Sequence, residues 1–147
     1  MKCVLDTNVV IDWLVFDDPF MSPLREGARS GVVTILTHQP AIDELRRVLT
    51  YPALKLDPAR QSAVFERYLA QTSIWPATEI SADAGAALPK GFPRCRDSDD
   101  DPFLALAYHA RAEALVSRDK AVLKLKRRVR RFGFEILNVP EMIAALV

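Results

Sequence analysis

The stretch Lys2-Cys3-Val4-Leu5-Asp6-Thr7-Asn8-Val9-Val10-Ile11-Asp12-Trp13-Leu14 changes character at one residue. Up to Leu5 it is short and apolar, which reads as a buried strand. After Asp6 come Thr7 and Asn8, both able to cap, and then an apolar helix over Val9 to Leu14. The same grammar returns at Ala114-Leu115-Val116-Ser117-Arg118-Asp119. There a strand over Glu113 to Val116 gives way to a polar turn, an aspartate and a helix reaching about Arg128.

Between these two segments the expected elements alternate. A helix over Pro23 to Arg29 ends at Gly31, and the β-branched Val32 to Leu36 is a strand. A helix covers Pro40 to Leu49. Another starts at Pro58, capped by Asp57, and runs to about Ala70, with Ala63, Val64, Tyr68 and Leu69 facing the core. A short strand lies at Ile74-Trp75, and Pro89, Gly91 and Pro93 mark a loop. Asp97 to Asp101 opens a helix over Phe103 to Ala112. Phe134 to Leu137 is a last strand, and Pro140 begins a closing helix. Short apolar strands alternating with helices argue for an α/β sandwich in which helices cover both faces of a parallel sheet. The 147 residues suggest a single domain, with no repeat or linker.

Composition narrows the classes. Half the residues are hydrophobic and 27% are charged, as in ordinary soluble proteins. No apolar run approaches the ~20 residues of a membrane span. An aspartate at position 6 comes too early for a signal peptide, so the expected location is the cytoplasm. Cys3 and Cys95 lack the spacing of a zinc or redox motif, and His38 and His109 lack that of ligands. The histidines read as structural or surface residues. Net charge is +1, but Asp119 to Arg131 alone carries +6. Lys120, Lys124, Lys126, Arg127 and Arg128 in this strip are either a solvated helix face or an anion-binding surface.

In an open α/β sheet, ligands bind beyond the carboxyl ends of the strands, where Asp6 and Asp119 both fall. Either could instead be a helix N-cap. For Asp6 that is the weaker reading, because Thr7 and Asn8 can also cap. On a helical wheel over residues 41 to 49, Ala41, Ile42, Leu45, Val48 and Leu49 form an apolar arc. Glu44 lies at its edge, tilted toward the sheet rim or merely snorkelling, while Asp43 faces outward near Arg46 and Arg47. Asp97-Ser98-Asp99-Asp100-Asp101-Pro102 packs four aspartates into five residues. A helix dipole offsets only ~0.3–1 kcal/mol of repulsion per charge, so the surplus suggests a cation nearby. Asp100, three before Phe103 and four before Leu104, is phased inward. Asp99 is the expected cap, and Asp97 a rim support. Carboxylates without His or Cys ligands suit Mg²⁺ or Mn²⁺, ions that serve phosphodiester hydrolysis.

Four pieces in this order resemble the PIN-domain ribonuclease family: Val4 to Val10, Glu44, Cys95 to Ala107, and Leu115 to Lys120. The third piece is most similar to the VapC-like toxins of bacterial type II toxin–antitoxin pairs. The resemblance implies a Rossmann-like three-layer α/β/α sandwich with a central parallel sheet of four or five strands, and metal-dependent endoribonuclease activity on RNA. It places the acidic site on Asp6, Glu44, Asp100 and Asp119, and small polar helpers on Thr7 or Asn8 and on Ser117. It also implies a homodimer and a small antitoxin partner. Two other classes compete. One is a PIN fold that binds RNA or protein without catalysis. The other is a phosphatase-like hydrolase with Asp6 as nucleophile, which position 8, an asparagine rather than an aspartate, disfavours.

Overall fold

The computed structural model describes residues 1–75 and 88–147. Five parallel strands form one sheet: β1 (Lys2–Leu5), β2 (Thr34–Thr37), β3 (Thr72–Ile74), β4 (Ala114–Val116) and β5 (Glu135–Leu137), in the order β3-β2-β1-β4-β5. Eight α-helices accompany them among the described residues: α1 (Thr7–Leu14), α2 (Ser22–Ser30), α3 (Gln39–Val48), α4 (Pro58–Gln71), α5 (Asp101–His109), α6 (Lys120–Leu123), α7 (Lys126–Val129) and α8 (Val139–Leu146). This is the parallel sheet between helical layers that the alternation of elements implies.

Period-two alternation assigns the two faces. Cys3 and Leu5, with Ile35, Ala114 and Val116, pack on one side beneath α1, α2, α4 and α8. Val4, with Leu36, Leu115 and Ile136, packs on the other beneath α5, α6 and α7. Strands buried on both faces need apolar residues at every position, which is why β1 and β4 read as continuous apolar runs. Each fully buried Leu or Val stabilises the fold by roughly 1.5–3 kcal/mol.

Several element bounds differ from the sequence reading, each for a local reason. The second strand starts at Thr34, because Val32 lies in the turn after α2 and is exposed. Gly31 makes that turn at φ +82°, a left-handed conformation suited to glycine. The third strand lies at Thr72–Ile74 and starts two residues before the expected Ile74-Trp75, because α4 runs straight into it; residues 76–87 lie outside the described chain. Ala63 is exposed, while Val64 and Tyr68 carry the α4 contact.

The basic helix expected to reach Arg128 is broken at Lys124-Leu125 into α6 and α7. Val122, Leu125 and Val129 reach the core, while Lys124, Arg127 and Arg128 stay exposed. The fifth helix starts at Asp101, after a 3₁₀ turn over Ser98–Asp100.

Candidate active site

The strand order reverses between β1 and β4, which makes the gap beyond their carboxyl ends the place where a doubly wound sheet accepts ligands. Leu5 pairs with Val116, so the chain leaves both strands at the same level. Asp6 follows the first strand and Ser117 the second. Asp6 occupies the N-cap position of α1, yet its side chain makes no capping bond. Instead the Ser117 hydroxyl donates to Asp6 Oδ2 at 2.6 Å, and Ser117 Oγ in turn accepts the Asp119 amide at 3.0 Å. Asp119 does cap α6, through Oδ1 on the Ala121 amide at 2.8 Å. The cap reading and the site reading are thus compatible for Asp119, since capping engages one of its two oxygens.

The aspartate-rich run sorts into distinct roles. Asp97, not Asp99, caps the 3₁₀ turn, accepting the Asp99 amide at 3.0 Å. A cap must precede the turn that it closes, and the 3₁₀ turn begins three residues before α5. Asp101 accepts the Cys95 amide at 2.7 Å and stands 3.9 Å from Arg94. Asp99 is exposed. Asp100 alone turns inward, at 8% exposure. Burial, then the charges of Asp6, Asp119 and Asp97, push its carboxyl up from 3.8 to about 7.

Asp6 is also pushed up, by burial first and by Asp119 in addition, with the Ser117 bond pulling partly the other way. The charge of Asp119 thus acts on both Asp6 and Asp100. The Cys95 thiol lies 3.8 Å from Asp100 Oδ2, a neighbour that the sequence does not advertise.

Glu44 reaches the same rim from α3. The Thr7 hydroxyl donates to Glu44 Oε2. Burial raises the Glu44 carboxyl, the Thr7 bond opposes this, and Asp6 adds to the rise. Arg47 approaches the other oxygen at 3.9 Å, so Glu44 rather than Asp43 meets that arginine. Asp43 is exposed and accepts from Gln39 at 2.7 Å. Asn8 is exposed, and its side chain makes no hydrogen bond among the described residues, so Thr7 holds the contact that either might have made.

His38, read as structural or surface, is buried and structural. Its Nδ1 accepts the Ala41 amide at 3.3 Å and caps α3; its Nε2 lies 3.1 Å from the Pro102 carbonyl. A carbonyl only accepts, so these partners fix the neutral tautomer with the proton on Nε2. The ring thus ties the start of the Glu44 helix to the start of α5, beside Asp100. Cap preference in the sequence points to Ser, Thr, Asp or Asn, so a capping histidine carries no such signal.

The donor set fits a hard divalent cation. Its ligand atoms are all carboxylate oxygens, and burial with neighbouring carboxylates raises the proton affinity of Asp6 and Asp100 at a partly buried rim. Among the described residues no three His, Cys, Asp or Glu side chains already stand in ion-holding geometry, so an ion there would complete its shell through water.

The basic strip divides. Lys120 and Lys124 are exposed around α6. Lys126 is committed to Glu141 on α8. Arg127 and Arg128 join Arg94 and Arg131 around an open groove. Arg118, between Ser117 and Asp119, places its guanidinium 2.8 and 2.6 Å from the two oxygens of Asp12 on α1, fastening the turn that carries Asp119. No helix among the described residues is long and apolar enough to cross a membrane.

Among solved structures, the chain is similar to VapBC2 from Rickettsia felis bound to a DNA fragment from their promoter. The TM-score is 0.57 at 16% identity, over 94% of this chain and 98% of that one. Similarity at this level speaks to the fold. No curated protein matches. The family model for the PIN domain matches residues 2–121, a span that takes in β1 through β4 with the Asp6, Glu44, Asp100 and Asp119 positions, and on that match the chain belongs to the PIN domain family.

Proposed function

We propose that the protein is a metal-dependent endoribonuclease whose site is Asp6, Glu44, Asp100 and Asp119, with Mg²⁺ or Mn²⁺ as the cofactor. One observation carries the reading: Asp6, Asp100 and Asp119 share one rim, where the charge of Asp119 disfavours ionisation of Asp6, and both disfavour that of Asp100. Such an arrangement destabilises the bare protein, and a bound cation relieves it. Membership of the PIN domain family supports the same reading.

A divalent cation bound there supplies Lewis acidity at the phosphate and a water of lowered pKa. Asp6, Asp100 and Asp119 hold it, directly or through water. Ser117 orients Asp6 while receiving the Asp119 amide, and Thr7 orients Glu44. Asp97 supports the rim by capping the turn that delivers Asp100. Glu44 positions the attacking water and takes its proton. The water oxygen bonds to phosphorus, the bond from phosphorus to the 3′-oxygen breaks, and that oxygen leaves with a proton from solvent. The products carry a 5′-phosphate and a 3′-hydroxyl.

The VapBC2 neighbour and the Asp97–Pro102 run support a more specific role: the toxin of a toxin–antitoxin pair, homodimeric, cytoplasmic and silenced by a small antitoxin. The chain would then act as one PIN domain. Expression with and without the adjacent reading frame tests this, with growth arrest expected only in its absence. Cleavage of single-stranded RNA by Asp6→Asn against wild type, in Mn²⁺ and in EDTA, tests the nuclease itself.

A further inference from the structure

Arg94, Arg127, Arg128 and Arg131, with Gly91, Phe92 and Pro93, line an open groove of about 640 Å³. Its described lining holds four arginines and no carboxylate. Two segments build it, the loop before the aspartate-rich run and the end of the basic strip, more than thirty residues apart in the chain. Arg131 fastens them together. Its Nη2 donates to the Gly91 carbonyl at 3.3 Å, and its guanidinium lies over the Phe132 ring at 4.6 Å. Gly91 has φ +79°, a left-handed turn conformation that favours glycine. Phe92 packs against Phe132 and Tyr108, at 5.0 and 5.4 Å, and makes a firm floor.

Shared lining residues link the groove to a hollow at Glu44. It shares Phe92, Pro93 and Arg94 with a smaller cleft that reaches Ser98, Asp101 and Pro102. That cleft in turn shares Ser98 and Pro102 with a hollow lined by Glu44 and Asp99. The line of hollows thus runs from Glu44, past Ser98 on the turn that carries Asp100, to the arginines. The other basic groove, at Arg25, Arg29 and Arg67, lies at the opposite, amino ends of β2 and β3, and two of its arginines are already paired, Arg25 with Asp17 and Arg29 with Glu26.

We propose that the Arg94–Arg127–Arg128–Arg131 groove is a subsite for the backbone phosphates of single-stranded RNA, on one side of the scissile bond. The assignment rests on the ribonuclease reading above and deepens it. A concave cationic groove with an aromatic floor is the form taken by single-strand sites, whereas duplex RNA is read across a broad minor groove. Arginine forks match phosphate oxygens two at a time. Lys126, held by Glu141, stands outside the subsite.

The test is the affinity of a labelled twelve-nucleotide single-stranded RNA for the full chain in EDTA, where binding does not depend on cleavage. Removing two of the exposed arginines, Arg127→Ala with Arg128→Ala, should weaken binding on the order of tenfold. It should also lower the salt slope by about 1.4, at about 0.7 per phosphate contact in single strands. Arg94→Ala should act in the same direction. Arg29→Ala with Arg67→Ala removes the same charge from the opposite rim and should change affinity less than twofold.

Equal losses from both pairs, or no loss from the first, overturn the subsite. So does tighter binding of a duplex of the same sequence. A twelve-residue oligoglutamate that binds more tightly than the RNA, with the same dependence on the arginines, marks a protein-binding groove and overturns it too. A chain that binds RNA through these arginines yet leaves it uncut in Mn²⁺ upholds the subsite and defeats the nuclease reading. A chain that cuts RNA with an EDTA affinity indifferent to the arginines does the reverse.

Discussion

Ser117 Oγ donates to Asp6 Oδ2 at 2.6 Å across 111 residues of chain, and the serine is fully buried. The bond exists because β1 and β4 are neighbours in register and release the two residues at one level. It fixes one oxygen of Asp6 and leaves the other for a ligand. Ser117→Ala should leave a buried carboxylate short of a partner, at about 1–3 kcal/mol, and weaken Mn²⁺ binding by about 10–100-fold. Calorimetric titration of Mn²⁺ against both proteins measures the loss; equal affinities would refute the positioning role.

Thr7 plays the corresponding part for Glu44. Thr7→Val keeps the shape and removes the donor, freeing Glu44 to turn toward Arg47. The turnover number should fall by at least about tenfold, with KM for RNA little changed, because Glu44 acts on the water rather than on the substrate. Thr7→Ser, which restores a hydroxyl, should recover most of it.

Asp100 titrates from about 7 in the fold against 3.8 when free. A raised acid is penalised in its charged form. Its stabilising contribution is complete below pH 3.8 and is lost as pH rises through about 7. Metal-free wild type should therefore lose stability over that interval relative to Asp100→Asn, and the variant should melt higher at pH 8. Adding Mn²⁺ should raise the melting temperature of wild type much more than that of the variant. Melting curves at pH 5 and pH 8, with and without Mn²⁺, check the sign.

His38 shifts in the other direction: burial lowers its pKa. Its neutral form is the one that caps α3 and holds Pro102. The contribution is complete above the free value of 6.5 and is lost as pH falls through the lower folded value. Wild type should lose stability between pH 7 and pH 5 more steeply than His38→Asn, which keeps an N-cap oxygen but cannot take up a proton. Parallel slopes in urea denaturation would contradict this.

Some of the site is legible in the sequence, and the reasons are local. Asp6 and Ser117 each follow an apolar run at a strand end, and Asp100 is phased to the buried side of the following helix. Those signals span only a few residues. The contacts that complete the site are not local. The Thr7–Glu44 bond depends on α1 and α3 meeting. The Cys95 thiol beside Asp100 depends on the loop folding back over the 3₁₀ turn. The break at Lys124-Leu125 parts Lys120 on α6 from Lys126, Arg127 and Arg128 on α7. A helical wheel assumes an unbroken helix and so draws those cations as one strip.

The central claim is that the carboxylates joined at the Asp6 rim cut RNA with a divalent ion. Incubation of labelled single-stranded RNA with wild type and with Asp6→Asn, each in Mn²⁺ and in EDTA, measures it directly. The account predicts fragments ending in 5′-phosphate from wild type in Mn²⁺ alone, and no cleavage by Asp6→Asn, with both proteins melting cooperatively. Cleavage by wild type in EDTA, or full activity in Asp6→Asn, would contradict it.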